Sequence, residues 1–184
     1  MNRVLWPSVA IFLCVLPPIC VAQEQSPPLD GPKAIFQDPL LNKMVGKWKV
    51  GGTIRSRPIE QSVEARWVLN HQFLQVHEMG APSPKTDGPA YEATVMIGYD
   101  HTSERYVAHW MDIYGGRFSE TLGYGVQSED QIEFVFEYGD GPFRTTFRWL
   151  SDKNQWQWLM RTKDNRGQWV EFASLTLTRD PPIH

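Results

Sequence analysis

From Gly46 to Arg179 the chain is dominated by a two-residue alternation of apolar and polar positions. Ile132, Phe134, Phe136 and Tyr138 are interleaved with Gln131, Glu133, Val135 and Glu137. Phe143, Thr145, Phe147 and Trp149 are interleaved with Arg144, Thr146 and Arg148, and Trp156, Trp158 and Met160 with Gln155, Gln157 and Arg161. Successive side chains of a strand point to opposite faces, so this period predicts sheet with one apolar and one wet face.

Turn signals interrupt the alternation at short intervals: Arg57-Pro58, Asn70-His71, Pro82 to Gly88, Asp100 to Glu104, Gly115-Gly116, Gln127 to Asp130, Gly139 to Pro142, Ser151 to Asn154 and Asp164 to Gly167. They divide the segment into strands near 47–56, 59–69, 72–80, 90–99, 105–114, 117–126, 131–138, 143–150, 155–163 and 168–179. Connections this short make sequence neighbours sheet neighbours and force them antiparallel. A meander of ten strands is long enough to curl and close, which removes its edges. The fold class expected is therefore all-β, a ten-stranded antiparallel up-and-down barrel over 40–179; a two-sheet sandwich is the alternative. Ahead of the first strand, Leu40 to Val45 reads as a short helical turn, with Asp38 as N-cap and Pro39 at its first position.

The N-terminus changes the picture of where the domain works. Arg3 followed by an apolar run from Val4 to Leu16, the breakers Pro17-Pro18, and Cys20-Val21-Ala22 reads as a secretory signal over 1–22 cleaved after Ala22. The run is too short to span a bilayer. Residues 23–39, with Pro27, Pro28, Pro32 and Pro39, form a flexible arm, and 180–184 a short tail. Both cysteines, Cys14 and Cys20, fall inside the signal, so the mature chain has no disulfide, thiolate nucleophile or Cys-ligated metal. Export to a bacterial periplasm or medium is expected. The core alone must then stabilise the domain, which a chain of about 160 residues can do. The full chain carries 18 basic and 21 acidic residues, with no basic block, so nucleic acid is not an expected partner.

Gly46-Lys47-Trp48 opens the first strand directly after the helical turn, and it is similar to the Gly-x-Trp signature of lipocalins and related barrels. That resemblance implies a lipocalin- or fatty-acid-binding-protein-like barrel. In it Gly46 and Trp48 close one end, and Arg179 of the last strand packs over the Trp. Together with Trp67 leading into Phe73-Leu74, Gly98-Tyr99-Asp100 and Trp110-x-Asp112, the pattern resembles a bacterial family of lipocalin-like barrels of unknown function over 40–179. It implies fold and no particular reaction. Nitrobindin-type haem barrels are more distant relatives that use a His near the C-terminal strands. The last two strands here contain none, and His184 lies beyond Pro181-Pro182, so no haem is expected.

Candidate chemistry concentrates on the third, fifth and sixth strands. If Gly115-Gly116 is a two-residue hairpin loop, His109 faces Leu122 and lies diagonal to Glu120, on a face with Phe118, Leu122 and Tyr124. That face would be the interior, and His109 with Glu120 a polar anchor for a ligand. A three-residue loop reverses the parity and turns Trp110 and Asp112 inward with Tyr106, Asp112 then capping the glycine turn. His77 lies on the third strand with either face open as the interior. His77, His109 and Glu120 could form a two-His, one-carboxylate site, but their spacing does not demand a metal, and none is expected. Trp158 is the further pocket-lining candidate, since most of the tryptophans fall on the apolar faces of their strands. No nucleophile elbow, phosphate loop or dinucleotide fingerprint is present, so no catalytic set or cofactor is expected. The leading expectation is a binding barrel for a small apolar molecule. An enzyme using an in-barrel His–carboxylate pair and an interaction domain with a filled barrel are the alternatives.

Overall fold

The computed structural model describes residues 35–180 apart from Thr86. The expected signal, most of the arm and the last four residues lie outside the described residues. A short helix, α1 (Pro39–Asn42), precedes β1 (Gly46–Ile54), β2 (Arg57–Val68), β3 (Phe73–Gly80), β4 (Glu92–Asp100) and β5 (Arg105–Asp112). A second short helix, α2 (Gly116–Ser119), leads to β6 (Leu122–Ser128), β7 (Gln131–Tyr138), β8 (Gly141–Leu150), β9 (Gln155–Lys163) and β10 (Trp169–Arg179). Each strand pairs antiparallel with its sequence neighbours, and β1 pairs with β10, so the ten strands close into a barrel. The ladder shifts register once, between Glu171 and Ala173 of β10, where an irregularity lets the strand bend at the barrel wall.

Asp38 starts α1 as expected: its Oδ1 accepts from Leu40 N and Leu41 N, both at 2.8 Å. This fixes Leu40, Leu41 and Met44 as a plug at one end of the barrel, all of them buried. Trp48 stands on that plug, donating Nε1 to Met44 O at 2.7 Å and meeting Trp149 edge-on. Arg179 lies 3.9 Å from the Trp48 ring and donates to Val45 O and Lys43 O. A Cβ on Gly46 would run into that guanidinium, and its φ of +121° favours glycine. Tyr106 completes the closure: its hydroxyl donates to Asp38 Oδ2 and sits 2.8 Å from Gln127 Oε1.

Above the plug the barrel is filled. Leu74, Ile97, Phe134, Trp156, Trp158 and Leu177 point inward with essentially no accessible surface. Side chains that border no water-sized space leave no lumen along this shaft, so the barrel has a packed core. The inward set fixes the face of every strand. On β5 it is Tyr106, Ala108 and Trp110; on β3 it is Leu74, Val76 and Glu78.

That parity corrects the preferred reading of the fifth and sixth strands. His109 does pair with Leu122, but both are on the outer face, and Leu122, Tyr124 and Val126 are exposed. The glycines between them face in: a Cβ on Gly123 would lie 2.4 Å from Phe136 Cζ, and one on Gly125 2.7 Å from Phe134 Cδ1. The phenylalanines of β7 occupy the volume that β6 side chains would need, so the smallest residues rather than the apolar ones go inside. The glycine pair is not a hairpin loop either. Gly115, at φ +80°, precedes α2, and Gly116 is its first residue.

Candidate functional site

The end of the barrel opposite the plug, its mouth, gathers polar groups that face inward. Glu78 is two residues from the end of β3, in register with Val63 on one side and Ala93 on the other; Ala93 in turn pairs with Asp112 of β5. Glu78 is 1% exposed, and its Oε2 has no hydrogen-bond partner among the described residues. Burial, reinforced by the charge of Asp112, pushes its carboxyl up to about 8. Tyr91 continues the β4 side of the same ladder, its carbonyl accepting from Gly80 N at 2.8 Å. Its hydroxyl is 3.3 Å from Trp110 Nε1 and 3.5 Å from Asp112 Oδ2. Burial and the neighbouring Glu78 carboxyl hold the Tyr91 phenol well above its ordinary range, so it stays a neutral donor.

Trp110 lies at the bottom of this mouth, 9% exposed, with its ring 5.6 Å from that of Trp158. Trp158 lies deeper, fully buried, and donates Nε1 to Thr145 Oγ1 at 2.7 Å. Around the rim Tyr91, Tyr138, Phe143 and Phe172 are half-buried. Tyr138 stacks on Phe136 and meets Phe118 of α2 edge-on at 5.6 Å, and Phe143 meets Phe172 at 5.3 Å. Asp112 anchors the loop above: Oδ1 accepts from Tyr114 N at 2.9 Å and its carbonyl from Gly115 N at 3.0 Å. It therefore caps the turn into the glycines, as expected for the inward arrangement of Trp110 and Asp112.

The sequence-predicted residues divide between this mouth and the outer wall. Trp110, Asp112 and Trp158 face inward. His109 is on the outer face of β5, its Nε2 2.6 Å from Ser119 O, so it fastens α2 to the wall. Glu120 is exposed at the C-terminus of α2 and does not meet His109 in the interior. His77 is on the outer face of β3, 2.7 Å from Glu92 Oε1, in a polar groove of about 320 Å³ that Glu64, Arg66, Gln75 and Thr94 complete. His77, His109 and Glu120 are thus not assembled into a ligand set; no cluster of metal-ligating residues occurs among the described residues.

Sequence reasoning missed Glu78 and Tyr91. The signal for Glu78 was its parity with Leu74 and Val76: a carboxylate in line with two apolar neighbours is inward if they are. Tyr91 lies at the start of the expected strand 90–99, in line with Ala93, Val95 and Ile97, and that shared parity was its signal.

A family model described as "Protein of unknown function (DUF1579)" matches residues 37–179. No curated protein matches the chain significantly. Among solved structures, the redesigned β-barrel b11L5F_LGL is 13% identical at a TM-score of 0.41, with 77% of this chain and 96% of that chain covered. Rv2717c from M. tuberculosis is also 13% identical, at 0.42, with 78% and 99% covered.

Proposed function

The chain belongs to the DUF1579 family of proteins of unknown function, and from that premise we propose that it is an exported binding barrel whose ligand sits at the mouth above Trp110. Export rests on the sequence of 1–22. Among the described residues no helix is long and apolar enough to cross a membrane. The filled shaft supports the mouth, rather than the interior, as the binding position. The observation that carries the reading is Glu78, a buried carboxyl whose Oε2 lacks a partner at the base of a ring of half-buried aromatics. An unpaired buried polar atom costs about 1–3 kcal/mol. A group that serves only packing would more economically be a Leu or Met, so the cost favours a role for the acid in holding something that comes and goes. Aromatic walls with a few convergent polar groups are the usual make-up of a small-molecule site. The small apolar molecule expected from the sequence then has a polar end as well, turned to Glu78 and Asp112.

Native mass spectrometry of the mature protein purified from its own host tests this. The expected result is a bound small molecule that is lost from a Tyr91→Ala variant that still folds. Protein that carries nothing, and whose Trp110 indole resonance is unmoved by a panel of small amphiphiles, would overturn the reading and favour an interaction domain with a filled barrel.

A further inference from the structure

Resting on the mouth as the binding position, we infer that the ligand presents a protonated amine, an alkyl- or arylammonium group, to the carboxyls of Glu78 and Asp112. The inventory of groups around Glu78 is one-sided. From β5 comes Asp112, from the residue just before β4 the neutral phenol of Tyr91, and from β7 Tyr138. From β2 the inward group is Gln61, whose Oε1 is a second buried acceptor without a partner.

Several basic side chains near this end are engaged elsewhere, Lys163 among them over the Trp169 ring at 5.3 Å. Arg117 pairs with Asp140 at 3.3 Å on the rim, Arg55 lies over Phe172 at 5.0 Å, and Arg144 lies over Trp169 at 4.2 Å. His77, the neighbour of Glu78 in sequence, points to the opposite face, toward Glu92. The mouth thus offers two unpaired oxygens, Gln61 Oε1 and Glu78 Oε2, beside a second acid and aromatic faces. Its identified donors, the Trp110 indole and the Tyr91 hydroxyl, are directed at Tyr91 and Asp112.

An ammonium group complements that set. It brings three donors and no acceptor. It gains charge-assisted hydrogen bonds to carboxylates, and the faces of Tyr and Trp attract it. A carboxylate or phosphate ligand would meet Asp112, and no ion pair or cation–π contact among the described residues brings a cation to it. A neutral alcohol could exchange hydrogen bonds with protonated Glu78 but brings no charge to favour its ionised form or to complement Asp112.

Burial raises the Glu78 carboxyl to about 8, so it carries a proton at neutral pH when the mouth is empty. Docking an ammonium favours the ionised form, and that proton leaves on binding. Affinity for an amine should then rise about tenfold per pH unit below 8, as long as the amine itself, with a pKa near 10.4, stays charged.

Hexylammonium, hexanol and hexanoate are matched probes, titrated against the mature protein at pH 6 and pH 7 and followed by the Trp110 indole resonance. The expected result is that hexylammonium binds, about tenfold tighter at pH 7 than at pH 6. That pH dependence should be lost in Glu78→Gln, and binding should weaken at both pH values in Asp112→Asn. Hexanol or hexanoate binding as tightly as the amine would overturn the amine inference and leave the mouth reading standing. Amine binding that is equally pH-dependent in Glu78→Gln would overturn the role of Glu78 and with it the inference. If none of the three moves the Trp110 resonance, both readings fail.

Discussion

The buried carboxyl of Glu78 makes the stability of the barrel fall as pH rises through a range where most proteins are near their best. In the unfolded chain the group ionises near 4.5, and in the folded barrel near 8. Between those values the folded state binds the proton and the unfolded state does not, so each pH unit removes about 1.36 kcal/mol of unfolding free energy. The full interval amounts to about 4–5 kcal/mol, lost progressively up to pH 8 and constant above it; about 3 kcal/mol of it falls between pH 5 and pH 7.5. That is a large part of the 5–15 kcal/mol typical of a domain. Glu78→Gln keeps the shape and removes the titration. Other groups titrate in both proteins, so the difference between the two pH profiles isolates Glu78. Urea unfolding at half-unit steps from pH 5 to pH 8.5 should give a wild-type curve that declines relative to the variant and runs parallel to it only above pH 8. Parallel curves throughout would mean that Glu78 ionises freely in the fold and is not held buried without a partner.

Four further substitutions test the packing. Trp48→Ala should cost about 3–5 kcal/mol in denaturant melts, since it empties the seat between Met44, Trp149 and Arg179; a loss under about 1 kcal/mol would refute its role as a plug. Gly123→Ala places a methyl 2.4 Å from Phe136 Cζ and should destabilise by about 1–3 kcal/mol. Gly116→Ala in α2, which meets nothing within 4 Å, should be neutral or slightly stabilising in the same melts. Tyr106→Phe removes a donor from buried Asp38 and should cost about 1–3 kcal/mol, measured the same way, with the pH profile of the Glu78 end unchanged.

How much of this was legible before the structure depended on how each signal is encoded. Strands such as β7 and β9 are written in strict alternation, and their observed bounds match the expected ones. The start of α1 is written in two residues, Asp38 and Pro39, because a cap is a local device. The contact of Arg179 with Trp48 joins opposite ends of the domain and came from resemblance, not from pattern. Parity across the β5–β6 connection was not legible. The segment after Asp112 hides a helical turn, α2, within what reads as a glycine hairpin. β6, meanwhile, presents its apolar side chains to solvent because Phe134 and Phe136 already occupy the interior. That outcome is a property of β7, and no inspection of 117–126 alone reveals it. For the mouth, Trp110 and Asp112 stood among the candidates. Glu78 was masked by the His77 beside it, which drew attention because imidazoles are the commoner chemistry.

The pairing of β1 with β10 has a consequence for how the chain reaches its fold. Every other ladder joins strands adjacent in sequence, so each can form as a hairpin with little chain to gather in. The seam between Trp48 and Arg179 must instead enclose nearly the whole domain, and the entropy of that closure is gained back only when the other nine ladders stand. The same seam holds Gly46 and Arg179 side by side. A short linker could therefore join them, with new ends opened in the exposed turn at 151–154, to give a circularly permuted barrel of the same architecture. In that permutant the β1–β10 ladder becomes a local hairpin and the β8–β9 ladder becomes the late, long-range closure.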